Sequence, residues 1–212
     1  MMTRRAVLGS PFTLAATGYG LPAGGGLAFR VMRKGSQIGT HTLTFRRTGT
    51  TLEIGIDVNL AIGFGPFTLF RYRMLGTETW RDDQFAELHT TTDNDGEALR
   101  VSATREPNRV VIESSSIGRQ ILAADTLPLN HWNIANMSAP LFNPQSGRPM
   151  QLAAKALGAT RVALASGVAV PATRYALTGE ATIDDWYDGS NVWTALQSVA
   201  KDGSIVTYQR LG

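Results

Sequence analysis

Carboxylate side chains come in close pairs at three places in the sequence: Asp82 and Asp83, Asp93 and Asp95, and Asp184 and Asp185. Two carboxylates can share acid and base roles when their environments differ. The first two pairs lie at predicted turns, where Asp bonds to nearby backbone. Asp184 and Asp185 are neighbours in a predicted strand, so their side chains point to opposite faces of a sheet. We therefore predict no catalytic residue among these pairs.

Other residue types that carry chemistry are scarce, because the chain has no Cys and only three His. The absence of Cys excludes thiolate catalysis, disulfides and Cys-ligated zinc. No His stands in a His-Glu-x-x-His or His-x-His arrangement, and the Gly-x-Ser-x-Gly pattern of α/β-hydrolases is missing. The sequence thus predicts neither a metal site nor a cofactor, and an enzyme is the least favoured function class.

His131 is the histidine with the most suggestive neighbours. It stands beside Trp132 in a long loop, and Asn130 and Asn133 flank the pair. A His-Trp pair between two amides suits the mouth of a cavity. The alternative is that Trp132 packs downward to anchor the loop while the polar side chains bond to backbone.

The elements that position these side chains are strands, because the dominant period from Leu27 onward is two. The clearest alternation places six apolar residues at every second position from Leu52 to Ile62. A strand of that length spans about 36 Å, which suits a large curved sheet. Turn-forming Asn, Asp and Gly recur at short intervals, so consecutive strands are antiparallel neighbours. We predict an all-β fold, with one antiparallel sheet of about 11 to 13 strands curled into an open or closed barrel.

One segment, residues 125–151, interrupts this rhythm. Four Pro punctuate it, and it has room for one or two helical turns between Asn130 and Met137. Long irregular loops are often functional. We predict that it is a plug or lid of a single domain covering 27–212, with the next strand over 160–165.

The N-terminus has the features of an export signal over residues 1–23. Arg4 and Arg5 precede a weakly apolar stretch that ends in small residues near Ala23, as in twin-arginine signals. The alternative is a disordered tail of a cytosolic protein. Without the signal the chain has 18 basic and 17 acidic residues, which gives no basic patch for nucleic acid. No later apolar run is long enough to span a bilayer. These features favour a periplasmic protein.

Several phrases of the sequence, taken in order, carry a family resemblance. They are the opening Phe-x-Val-x-x-x-Gly-x-x-Ile-Gly at 29–39, Glu78-Thr-Trp80, Asp93-Asn-Asp-Gly96, the loop 128–132, Trp186-Tyr-Asp188 and the stretch 202–208. Together they resemble an exported proteobacterial family that is known as a domain of unknown function. The resemblance implies a large, strongly curved antiparallel sheet, distantly similar to the sheets of periplasmic lipoprotein carriers. It implies no activity and no functional residues.

Two functions remain open for such a barrel. The first is a non-enzymatic periplasmic binding or carrier module for an apolar or amphipathic small molecule such as a lipid. Its predicted ligand-binding residues are Ile54, Ile56, Val58, Phe70, Tyr72, His131 and Trp132. The second is a structural or assembly protein of the cell envelope, which would bind another protein through a sheet edge or the apolar hairpin tip at 64–70.

Overall fold

The computed structural model describes residues 19–64 and 67–212, without the side chains of residues 64, 67 and 68. Nearly all regular structure in these residues is β-strand, and the bounds follow. The strands are β1 (Gly26–Arg33), β2 (Ser36–Thr48), β3 (Thr51–Phe64), β4 (Phe67–Arg81), β5 (Gln84–Asn94), β6 (Glu97–Glu106), β7 (Arg109–Ser114), β8 (Gly118–Ala123), β9 (Leu127–Pro128), β10 (Leu141–Phe142), β11 (Pro149–Met150), β12 (Leu152–Ala163), β13 (Ala169–Gly179), β14 (Ile183–Tyr187), β15 (Trp193–Val199) and β16 (Ile205–Arg210). A 3-10 helix covers Ile134–Met137, within the predicted helical turns.

Thirteen of these strands form one antiparallel sheet, which confirms the predicted all-β class and strand number. Its order is β12-β13-β14-β15-β16-β1-β2-β3-β4-β5-β6-β7-β8. All neighbours are consecutive in the chain except β16 and β1, where Phe29 lies opposite Arg210. Strands β12 and β8 are the two edges, so hydrogen bonds do not close the sheet in the described part of the chain.

The core lies on the concave face of the sheet. Inward residues of β3 alternate with outward ones, as the sequence predicts, and Leu52 and Ile54 are fully buried. A single apolar cluster joins inward residues of both halves of the sheet, such as Phe29 and Leu177, to Trp132 and Phe142 from the segment 125–151. The sheet therefore curls around that segment, which is called the plug below.

The plug has its own small sheet and several ties to the wall. Strands β11, β10 and β9 form a three-stranded sheet in that order, with β10 parallel to β9. The Thr90 hydroxyl donates to the Pro144 carbonyl at 2.6 Å, and the Ser114 hydroxyl donates to the Ser146 carbonyl at 2.7 Å. Because these ties come from β5 and β7, the plug is held against the wall of the curled sheet.

The strand after the plug differs from its prediction. β12 runs from Leu152 to Ala163, whereas the sequence predicted a strand only over 160–165. Nearly all of its residues are exposed, on both faces. With neither face buried, the strand has no alternation of apolar and polar residues for sequence reasoning to detect.

Residues 1–18 of the predicted export signal lie outside the described residues. The last part of that range, from Tyr19 to Pro22, packs on the domain. The ring centroid of Tyr19 lies 5.1 Å from that of Trp132, and Leu21 contacts the apolar core. None of the helices in residues 19–64 and 67–212 combines the length and apolar character that crossing a membrane requires.

Candidate functional site

A cavity of about 320 Å³ lies between the plug and the inner face of strands β2 to β5. Its wall comes from the sheet and its roof from the plug. The lining residues are His41, Leu43, Ile56, Val58, Leu60, Phe70, Tyr72, Met74, Glu78, Leu88, Pro128, Leu129, Asn130, His131, Asn143, Pro144, Gln145 and Tyr208. Most of the wall is apolar, and the polar groups come from both the sheet and the plug.

The cavity has one closed and one open end along β3 and β4. The closed end is formed by Glu78, Trp80, Asn130 and Trp132, all of them buried. The open end is formed by Leu60, Phe70 and Tyr72, all of them only partly buried. Glu78 pairs with Ile54 in the sheet register, and Phe70 pairs with Ile62. These two residue pairs, one at each end of the cavity, are eight residues apart along each strand, which corresponds to about 26 Å.

Glu78 organises the closed end. Its side chain is fully buried, and each carboxylate oxygen accepts two hydrogen bonds. The donors are the indole N–H groups of Trp80 and Trp132 and the amide of Asn130, whose Nδ2 lies 2.8 and 2.9 Å from the two oxygens. Burial raises the pKa of Glu78 to about 7, although these donors favour the charged form. The carboxyl thus ties plug to sheet.

A second buried carboxyl holds the histidine of the plug. Asp185 of β14 is fully buried, and its Oδ2 lies 2.9 Å from Nδ1 of His131. Its other oxygen accepts from the indole of Trp193 at 3.0 Å. His131 also stacks on Trp193 and has a φ of +59°, which is uncommon for a residue other than Gly. The surrounding contacts therefore hold His131 in one orientation beside the cavity.

His41 of β2 is another polar residue of the cavity lining. It is 7% exposed and packs among Phe29, Trp193 and Tyr208. Its Nε2 is buried and has no hydrogen-bond partner among the described residues. Burial, together with the nearby His131, lowers the pKa of His41 to about 3, so the imidazole is neutral at physiological pH.

Five of the seven predicted ligand-binding residues lie together in the lining: Ile56, Val58, Phe70, Tyr72 and His131. Ile54 and Trp132 are not in the lining. Both are fully buried at the closed end, where Trp132 donates to Glu78 at 3.2 Å. Trp132 thus takes the alternative position considered from the sequence, in which it packs downward and anchors the loop. His131, by contrast, lines the cavity.

Sequence reasoning missed two residues that shape the site, Glu78 and Asp185. A signal for each was present. Glu78 alternates in phase with Met74 and Trp80, and Asp185 is in phase with Ile183 and Tyr187. An acid on the dry face of a strand is buried and needs partners. The argument that Asp184 and Asp185 face opposite sides holds, since Asp184 instead pairs with Arg174 at 2.7 Å.

The chemistry available at the cavity is mainly hydrogen bonding and apolar contact. His131, with its buried Asp185 partner, has the arrangement of an oriented base. Among the described lining residues, however, no Ser, Thr or Lys accompanies it as a nucleophile. The described residues also contain no group of three or more His, Asp or Glu able to hold a metal ion.

Fold and cavity together define a β-barrel-like protein whose curled sheet encloses a plug and leaves a partly open, apolar pocket. The chain belongs to the family described as domain of unknown function DUF6134, which residues 29–211 match. It is also similar to a crystal structure of a beta-barrel-like protein of domain of unknown function DUF1849 from Brucella abortus. That similarity has a TM-score of 0.62 at 11% identity, and covers 88% of this chain and 94% of the other. At that identity it shows the fold alone. No curated protein matches the chain significantly.

Proposed function

We propose that the protein is a non-enzymatic binding or carrier protein that takes an apolar or amphipathic small molecule, such as a lipid, into the cavity between plug and sheet. We also propose that it is exported to the periplasm of a proteobacterium by its twin-arginine-like signal. The resemblance of the sheet to those of lipoprotein carriers, which the sequence suggested, is part of the same proposal.

The observation that carries the proposal is the cavity itself. Its volume of about 320 Å³ is at the lower end of the range of about 300 to 1,000 Å³ for small-molecule sites. Leu43, Ile56, Val58, Met74 and Leu88 give it apolar walls. Burial of apolar ligand surface against such walls contributes roughly 25 cal/mol per Å². The size fits one short acyl chain or a comparable molecule.

Native mass spectrometry with organic extraction tests this proposal directly. The protein is purified in gentle buffer from the periplasm of cells that express it. We expect a reproducible adduct, which the extract then identifies as a lipid or another apolar molecule. A clean mass of the bare chain would contradict the proposal.

A pair of matched variants locates the ligand. Leu60 lines the open end, whereas Leu75 is 44% exposed on the outer face of the neighbouring strand. Leu60→Trp fills the cavity, so we expect the adduct to disappear. Leu75→Trp makes the same change away from the cavity, so the adduct should remain. If both variants keep the adduct, the ligand is bound elsewhere.

A second candidate, an assembly protein of the envelope, is favoured by one edge of the sheet. Within the described residues β12 is paired only on its β13 side, and it is exposed along nearly all of its 12 residues. Such edges can accept a strand from another protein. At the hairpin tip of β3 and β4, Leu69 is 64% exposed, while the side chains of Phe64 and Phe67 lie outside the described residues. Lys155→Pro would disrupt the edge, and loss of a partner in a pull-down with this variant would support this function.

A further inference from the structure

The buried Nε2 of His41, which has no partner among the residues that the structure describes, is the feature that identifies the kind of ligand. Buried polar groups are nearly always hydrogen-bonded, and an exception needs a cause. His41 lines the cavity, and its Nε2 is buried without a partner among the described residues. Nε2 has almost no accessible surface in the structure, so a ligand atom can supply the missing hydrogen bond once the ring turns toward the cavity. The imidazole is neutral, so it offers that hydrogen bond without a charge.

The acidic and imidazole side chains of the cavity other than His41, namely Glu78 and His131, are already hydrogen-bonded within the protein. No Lys or Arg is among the described residues of the lining. Nδ1 of His131 already lies 2.9 Å from Oδ2 of Asp185. The Glu78 carboxyl already accepts from three donor nitrogens, with two of them close to each oxygen. A buried charge without a partner is strongly unfavourable, which disfavours both anionic and cationic head groups.

The burial of the cavity wall determines the direction in which the apolar part of the ligand extends. Along the inner face of β3, Ile56 and Val58 are buried, whereas Leu60 and Ile62 are only partly buried. His41 pairs with Val58 in the sheet register, so it lies between the closed and the open end. A ligand with its head at His41 can therefore extend its tail along Leu60 and Phe70 toward the open end.

We propose that the cavity binds a small amphipathic molecule with an uncharged, hydrogen-bonding head, such as an alcohol, amide or ester, placed against Nε2 of His41 with its tail toward the open end. This inference rests on the proposed binding function, because it specifies the ligand of the same cavity.

Three probes that share one alkyl chain length and differ in their head group test the head-group preference of the unmodified protein. They are 1-decanol, decanoate and decylamine, titrated by calorimetry at pH 7.5 below their aggregation concentrations. We expect decanol to bind at least about tenfold more tightly than either charged probe, since tenfold corresponds to only about 1.4 kcal/mol. If decanoate or decylamine binds equally well, the neutral head is wrong and the binding function stands. If none binds, both are wrong.

Substitution of His41 tests the contact itself. His41→Phe keeps an aromatic ring among its neighbours and removes the nitrogen, so decanol should bind about tenfold more weakly. His41→Gln keeps an N–H donor and should retain most of the affinity. His89, which is exposed on the outer face, provides the matched control His89→Phe, with unchanged binding. Equal decanol affinity in His41→Phe and the unmodified protein would overturn the proposed contact.

A different observation concerns the N-terminal segment, whose residues 19–22 are part of the folded domain. The Tyr19 ring lies edge-on to Trp80 and Trp132, and its hydroxyl accepts from Arg47 at 2.8 Å and donates to Asp83. A Cβ on Gly20 would lie within 2.6 Å of three backbone atoms of residues 190–192. Cleavage near Ala23 would remove all of these contacts.

We infer that the export signal is cut between Gly18 and Tyr19, not near Ala23. Signal peptidases require small residues at the first and third positions before the cut. Ala16 and Gly18 meet this requirement, whereas a cut after Ala23 places the bulky Leu21 at the third position. This inference rests on the proposed export. A cut at this position keeps the packed segment, residues 19–22, in the mature chain.

The intact mass of the protein recovered from the periplasm tests this cut. We expect a chain that begins at Tyr19. A chain that begins at Gly24 would overturn the inference while leaving export intact, and an uncleaved chain found only in the cytoplasm would contradict both. As a second measurement, chain 24–212 should unfold at lower urea than chain 19–212. Equal midpoints would contradict the role given to Tyr19 and Leu21.

Discussion

The closed and open ends of the cavity are built from the same two strands and differ in what covers them. At the closed end, plug residues Asn130 and Trp132 bond to Glu78 of β4, and the aromatic rings of Trp80 and Trp132 pack edge to face. At the open end, Leu60, Phe70 and Tyr72 continue the same inward face with only partial burial. The plug therefore accounts for the stability of one end and leaves the other available to a ligand.

This difference shows how a curled sheet divides its inner face between folding and binding. Strand alternation supplies apolar residues on the inner face of β3 from Leu52 to Ile62 and, apart from Gly76 and Glu78, on that of β4 from Phe70 to Trp80. Only the residues that the plug covers become core, because burial depends on a second layer. The residues beyond the plug keep apolar surface that a small molecule can cover.

The largest expected effect comes from truncating one aromatic residue at each end. Trp132→Ala removes a fully buried side chain and a hydrogen bond to Glu78, so it should lower the free energy of unfolding by about 4 kcal/mol. Phe70→Ala removes a partly exposed ring and should cost about 1 kcal/mol. Urea denaturation followed by circular dichroism measures both. Equal losses would show that the open end is packed as tightly as the closed end.

The pH dependence of stability separates the two buried ionisable groups. The pKa of Glu78 is about 7 when folded and 4.5 ordinarily, so its contribution to stability is lost as pH rises from 4.5 to 7. The pKa of His41 is about 3 when folded and 6.5 ordinarily, so its neutral folded form adds stability as pH rises from 3 to 6.5. The two effects oppose each other between pH 4.5 and 6.5, where the unmodified protein should show a nearly constant free energy of unfolding.

Single variants should reveal the two opposing slopes. In His41→Phe the Glu78 effect remains alone, and stability should fall by about 3 kcal/mol between pH 4.5 and 7. In Glu78→Gln the His41 effect remains, and stability should rise by about 3 kcal/mol between pH 4.5 and 6.5. Urea midpoints across this pH range measure both. Parallel profiles for the two variants would refute the assignment.

The smallest expected effect is a gain in stability. Because Nε2 of His41 is buried without a partner in the described part of the chain, His41→Phe should stabilise the ligand-free protein by about 1 kcal/mol at pH 7.5. His89→Phe should change it by less than about 0.5 kcal/mol, as expected for an exposed position. Thermal unfolding of the two variants compares them, and a loss of stability in His41→Phe would argue that the nitrogen is satisfied within the protein.

The fold could be predicted from the sequence further than the site. β3 alternates because one face is buried, and four Pro mark the plug, so both were predictable. β12 was predicted too short because neither of its faces is buried. The bond between His131 and Asp185 joins a loop to a strand 54 residues away. It depends on how deeply the plug enters the sheet, which no local pattern records. Glu78, by contrast, could have been identified from its phase with Trp80.

The pairing of the first and last strands has a consequence for how the chain folds. Every other neighbouring pair in the main sheet is sequential, and the tightest of these close through a few turn residues, whereas β1 meets β16 only after almost the whole chain is made. Closing so large a loop costs entropy before any contact rewards it, so this seam is expected to form late and to limit the folding rate. Until this seam forms, the eight N-terminal strands can assemble while β1 remains an unpaired edge. The nascent chain therefore needs protection at the β1 edge.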